Sequence, residues 1–228
     1  MGGIFNMEGP LFRFGNVVAD IMILSLIWTI FSIPIFTIGA STTALFYVTT
    51  RRLSDKEGYL MRDFLSSFKA NFKQATLIWL AWLGLALLIS ANLRLLQSNE
   101  FDSTLFMILL PIQLVLMLEL FMMSIYLYPL TARFEMSFLQ TIKSAFFMAN
   151  RHLLTTISCA AIVVAIFLFS IYIFFPIILV GIGIYAYAAS YMLMIIFKKY
   201  RPEIDADSVA TDQLEPIRDI SEVREDAT

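Results

Sequence analysis

Residues 17–48 read VVADIMILSLIWTIFSIPIFTIGASTTALFYV, without one basic group until Arg51 and Arg52 stop the run. About 20 apolar residues cross the hydrocarbon of a bilayer, so a run this long predicts a membrane span with a structured end. That end is Ser32–Ala44. Pro34 disfavours a continuous helix there, and Thr37, Gly39, Ala40, Ser41, Thr42 and Thr43 allow close packing and local hydrogen bonds. Two readings follow: a broken helix lining a substrate path, or a tightly packed crossing near the cytoplasmic face.

The rest of the chain extends the membrane reading. Hydrophobic residues make up 59%, with 21 Phe and a mean hydropathy of +0.79, above the roughly 45–50% apolar content of soluble domains. Five helices are predicted to span, at about 17–38, 75–96, 104–130, 153–174 and 177–197. The last two are separated by Phe175-Pro176. Together the spans leave no room for an independent catalytic domain. The expected class is an all-α membrane protein, with a membrane domain over 1–200. The tail over 201–228 is acidic and without aromatic residues, and is expected to be disordered.

Basic residues set the expected orientation. Arg51, Arg52, Lys56, Arg62, Lys69 and Lys73 follow the first span, and Arg133, Lys143 and Arg151 follow the third. Lys198, Lys199 and Arg201 follow the fifth, whereas the segment 97–103 holds Glu100 and Asp102 and no base. The amino terminus is therefore expected outside and the carboxyl terminus inside. No cleavable leader is expected, since residues 1–16 carry only Arg13 as a base and lack a short apolar core. A single cysteine, Cys159, excludes a disulfide framework within the chain.

Two stretches echo each other. Tyr47-x-x-Thr50-x-Arg52 returns as Tyr128-x-x-Thr131-x-Arg133, and the pattern Phe68, Asn71, Lys73, Thr76 returns as Phe147, Asn150, His152, Thr155. The offsets are 81 residues (47 to 128) and 79 residues (68 to 147). Each unit would be span, interfacial segment, span, giving two similar hairpins plus a fifth helix. The alternative is that any cytoplasmic hairpin needs such anchors. Both loops carry an i, i+4 apolar stripe: Leu60, Phe64, Phe68, Phe72, then Phe134, Phe138, Ile142, Phe146. Helices of this kind lie in the membrane interface or dock a cytoplasmic partner. On the docking reading, Phe64, Phe68, Asn71, Phe138, Phe146 and Asn150 are the candidate contacts.

The motifs Pro34-x-x-Thr37-x-Gly39-Ala40-x-x-Thr43-Ala44-x-x-Tyr47, Phe68-Lys-x-Asn71-Phe-Lys73 and Tyr128-Pro129-Leu-x-Ala132-Arg133-Phe134 resemble the YesL-like family, over about Phe5 to Tyr200. Its members are small bacterial integral membrane proteins with a domain of unknown function. The resemblance implies the bacterial plasma membrane and an association with sugar uptake, through the permease or ATPase of a carbohydrate ABC-type importer. It supplies no activity or catalytic residue.

Little in the spans could carry chemistry. Glu119 is the only carboxylate deep inside one, and burying it costs on the order of 3 kcal/mol, so it needs a partner or water. Arg94, Asn92, Ser124 and Tyr126 are the candidate partners. It is either a proton or cation relay, or a hydrogen-bonded lock between helices. Asp20 is expected to pair with Arg94 at the outer face. His152 reads as an interfacial helix-end residue. No catalytic triad, nucleotide loop or metal-ligand spacing is present, so no enzyme, cofactor or metal is expected, and the acidic tail disfavours nucleic acid. The expected partners are the lipid bilayer, an importer and a second copy of the chain. Two functions stay open: an accessory component of the importer, or a small carrier or channel using Glu119. Pro34, Thr37, Gly39, Thr43, Glu119 and Arg133 are the candidate functional or packing residues.

Overall fold

A computed structural model describes residues 10–54, 58–97, 103–172 and 177–200. Seven α-helices lie in this described part: α1 (Pro10–Phe31), α2 (Ile38–Leu53), α3 (Leu60–Gln97), α4 (Ser103–Arg133), α5 (Phe138–Arg151), α6 (Leu153–Tyr172) and α7 (Ile177–Tyr200), with no strand. A large compact unit runs through Tyr191, and a second begins at Met192, of which the last turns of α7 are described.

The architecture is all-helical and membrane-like, but the first predicted span is not one crossing. α1 ends at Phe31, three residues before Pro34, because the proline ring crowds the helix behind it. A single 3₁₀ turn over Ile35–Thr37 then starts α2. Trp28 Nε1 donates to Thr42 Oγ1 at 3.1 Å, and Arg52 Nε lies 3.1 Å from an Asp20 carboxylate oxygen. Those two contacts fix α1 and α2 as antiparallel, so the chain turns back at the break. Asp20 therefore shares an end with Arg52, not with Arg94 as expected.

α2 forms the centre of the large unit. Residues Gly39 to Phe46 are all buried, together with Val48 and Thr49. Its hydroxyls return to its own backbone: Thr42 to the Ile38 carbonyl, Thr43 to Gly39 and Thr49 to Leu45. These threonines can thus sit in an apolar core with their hydroxyls paired, whereas the hydroxyl of Ser41 is buried without a partner among the described residues. A Cβ at Gly39 would overlap the Ala75 carbonyl oxygen and Trp79 Cβ, so α3 packs directly on the α2 backbone there. Among apolar surroundings the gain comes from this close packing rather than from water release. Gly183 makes the same accommodation for Ser25 and Ile21, which brings α7 against α1.

α3 differs from expectation as well. The amphipathic stretch from Leu60 and the span 75–96 are one continuous helix of 38 residues. Its first turns run back along α2, with Arg51 Nε 3.5 Å from Asp63 Oδ2. The second such stretch is a separate helix, α5. It opens on a reciprocal capping box between Ser137 and Gln140 and ends at His152. Gln74 of α3 donates to the Met136 carbonyl at 2.7 Å, which pins the turn between α4 and α5.

Four helical segments are long and apolar enough to cross a membrane: Leu60–Leu95, Met107–Arg133, Leu153–Ile171 and Val180–Phe197. The apolar part of α1, Gly15–Phe31, is shorter. Apolar side chains face outward in continuous patches, such as Ile108, Ile112, Val115 and Leu118 on α4. Patches of this extent on a helix surface fit lipid, not water. The turn at Phe175-Pro176, the acidic segment with Glu100 and Asp102, and the acidic tail lie outside the described residues.

Candidate functional site

The break between α1 and α2 is the first candidate. Pro34 is exposed and extended (φ −73°, ψ 117°), and the chain must there leave helical carbonyls without amide partners. Thr37 meets that need at Phe31, whose carbonyl oxygen lies 2.6 Å from its Oγ1; the same hydroxyl lies 2.6 Å from the Pro34 carbonyl, which also accepts the Thr37 amide. Trp79 Nε1 adds a third tie, donating to the Ile35 carbonyl at 2.7 Å. Pro34, Thr37, Gly39 and Thr43 thus act together. They turn the chain, satisfy it and seat α2 against α3.

Beside the break lies a cavity of about 500 Å³, bounded by α1, α2, α3, α4, α6 and the early turns of α7. Its polar lining is mostly engaged. Trp28 bonds Thr42, Thr42 bonds the Ile38 carbonyl, Trp79 bonds Ile35 and Ser124 bonds the Phe121 carbonyl. No charged side chain lines it.

Glu119 is the second candidate. It is half-buried on α4, and its Oε1 accepts a hydrogen bond of 2.8 Å from Asn150 Nδ2. None of the four partners expected from sequence holds it. Asn92 instead donates to Gln113 Oε1 at 3.0 Å, and Gln113 donates to the Ile89 carbonyl. Asn150, picked out as a docking residue, is therefore the bond between α4 and α5. His152 caps α5 where α6 begins; Thr156 Oγ1 lies within hydrogen-bond distance of the Ala149 and His152 carbonyls and of Tyr126 Oη.

The docking residues divide. Phe64 is fully buried and cannot meet a partner. It packs on Phe31 at 5.5 Å between ring centroids, and Phe68 sits 5.3 Å from the same ring. The apolar stripe of early α3 is thus spent partly on α1. Asn71 bonds back to the Ser67 carbonyl. Phe138 is half-buried, while Phe146 is 52% exposed on α5 beside Phe147. Arg133, half-buried, lies 6.0 Å from the Phe134 ring centroid.

Two ties were missed from sequence, Asp20–Arg52 and Tyr126–Thr156. The first had a visible signal, since Asp20 and Arg52 flank the run that Pro34 divides. The second had none, because Tyr and Thr inside apolar helices are unremarkable.

Residues 21–93 match the family model described as "Protein of unknown function, DUF624", the domain family to which YesL-like proteins belong. The match covers α1 from Ile21, the break, α2 and most of α3, and leaves Glu119 and Asn150 outside it. No curated protein and no solved structure matches the chain.

Proposed function

We propose that this protein is a multi-pass membrane component without catalysis of its own, serving as an accessory part of a carbohydrate ABC-type importer in the bacterial plasma membrane. The observation that carries the reading is the internal use of its polar groups. Asn92, Gln113, Glu119 and Asn150 bond one another or the backbone, and the hydroxyls of Thr42, Thr43 and Thr49 bond the carbonyls of their own helix. A sugar path would gather free donors and acceptors at one depth, whereas the central cavity is apolar. The sugar-importer assignment itself rests on the family resemblance, and α5, with Phe146 and Phe147 outward, is the surface offered to the permease or ATPase.

In this reading Arg51, Arg52, Lys69 and Lys73 face the cytoplasm. Asp20, bound to Arg52, then sits at the cytoplasmic end too. The α1–α2 hairpin enters and leaves on that side, while α3, α4, α6 and α7 cross. Both ends of the membrane domain are cytoplasmic, in place of an external amino terminus.

The test is crosslinking of the tagged protein in its native membrane, with identification of what copurifies, alongside sugar uptake in a deletion strain. Recovery of a permease or ATPase with reduced uptake supports the role. Unchanged uptake and permease abundance would sink it. The carrier reading keeps a separate test: solute flux in liposomes holding this protein alone, altered by Glu119→Gln.

A further inference from the structure

Tyr128 and Tyr185 stand apart in the cavity between the break and α7. Both line it, Tyr128 is only 8% exposed as a residue, and neither hydroxyl makes a hydrogen bond to any described group, yet neither oxygen is sealed off from the cavity. Every other polar side chain of the lining that was traced above is already bonded within the protein. A phenol that stays accessible and has no partner among the described residues can bond a polar atom of whatever enters this apolar space. The rest of the wall is aromatic and aliphatic, including Phe46, Phe121, Val163 and Ile166. At about 500 Å³ the space falls within the range of small-molecule sites.

We infer that this cavity binds an uncharged amphipathic lipid, whose apolar body fills the space and whose hydroxyl or carbonyl oxygen meets Tyr128 and Tyr185. The charge follows from the walls: a carboxylate or phosphate held there would have no cation opposite it, and burial of an unpaired charge is strongly unfavourable. A sugar is excluded by the same reasoning in reverse, since its many hydroxyls would find two partners. The inference stands on the cavity alone and survives failure of the importer assignment.

Tryptophan fluorescence reports on it directly. Trp28 and Trp79 line the cavity, and Trp82 stacks on Trp79 at 5.5 Å. The purified protein in nanodiscs is titrated with a brominated long-chain alcohol, the matching bromoalkane and the matching bromocarboxylate. Saturable quenching by the alcohol is expected, with the alkane about tenfold weaker, the equivalent of one hydrogen bond near 1.4 kcal/mol. The carboxylate should be weaker still at a pH where it is ionised. Tyr128→Phe with Tyr185→Phe, which keeps the volume, should bring alcohol and alkane to equal affinity. Val163→Phe, which narrows the space, should weaken the saturable quenching. Quenching that never saturates, or is identical in Val163→Phe, would mean the probe samples bulk lipid and would overturn the site. Equal binding of alcohol and alkane to the unaltered protein, or tighter binding of the carboxylate, would overturn the assigned chemistry.

Discussion

In the first hairpin the entering strand of helix is broken, between Ser32 and Thr37, and the returning helix α3 runs unbroken for 38 residues. In the second the pattern is reversed: α4 enters unbroken over 31 residues, and the returning helix is divided at His152 into α5 and α6. Proline alone does not explain where breaks fall. Pro34 coincides with one, but Pro111 and Pro129 lie inside α4 without dividing it. What the two breaks share is a threonine hydroxyl set against freed carbonyls, Thr37 at the first and Thr156 at the second. Applying the repeat offsets, Tyr126 corresponds to Leu45 (45 + 81) and Thr156 to Leu77 (77 + 79). On the repeat reading, the hydroxyl pair that stitches the α5–α6 joint has two leucines as its counterpart in the half where α3 stays straight. At both breaks a threonine hydroxyl bonds a carbonyl of the preceding helix, Phe31 at the first and Ala149 at the second.

The comparison can be broken most severely at Gly39. Gly39→Val would drive a side chain into the α3 backbone and lower stability by about 3 kcal/mol or more, read as a fall in thermal midpoint in detergent. Gly84→Val on the open face of the same helix, where no atom lies within 4 Å, is the control and should change little. Equal losses at the two glycines would remove the close approach from the account.

Next in size is the Asp20–Arg52 tie, with side-chain exposures of 18% and 33%. Asp20→Ala should lower stability by about 2 kcal/mol, between the values for exposed and buried pairs. Exchanging the two residues should recover part of the loss. A short bifunctional maleimide should join cysteines placed at 20 and 52 in a Cys159→Ser background. Failure to join them while the protein remains folded would restore a first span that crosses outright.

The α5–α6 joint should respond more mildly. Tyr126→Phe and Thr156→Val are each expected to cost about 1 kcal/mol, and the double variant less than their sum, because they share one bond. Full additivity would show that the hydroxyls act separately. The smallest effect belongs to Phe146→Ala on the outer face of α5, expected within about 0.5 kcal/mol in thermal unfolding. Reduced recovery of a copurifying permease with this variant would sharpen the proposed role of that face.

Much of this was legible in the residues. Apolar runs located α4, α6 and α7 to within a few positions, because length and hydropathy alone decide those helices. Pro34 with Thr37 and Gly39 correctly drew attention to the break. Its consequence was not legible: whether a chain resumes its direction or reverses after a proline depends on what packs against it, here Trp28 on Thr42 and Asp20 on Arg52. The stripe Leu60–Phe72 likewise looks the same whether it faces lipid headgroups or Phe31. Glu119 stood out as a carboxylate within an apolar run, but its partner did not: Asn150 lies 31 positions away, and only the return of α5 along α4 makes them neighbours.

A helix of 38 residues is about 57 Å long at 1.5 Å per residue, against about 30 Å of hydrocarbon. α3 is therefore longer than the hydrocarbon layer it is long and apolar enough to cross, held at one end by Arg51 on Asp63 and near the other by Asn92 on Gln113. Having no joint, it cannot absorb a push by bending at a hinge. The rod is seated on α2 at Gly39 and carries its two ties, to α2 and to α4, as one piece.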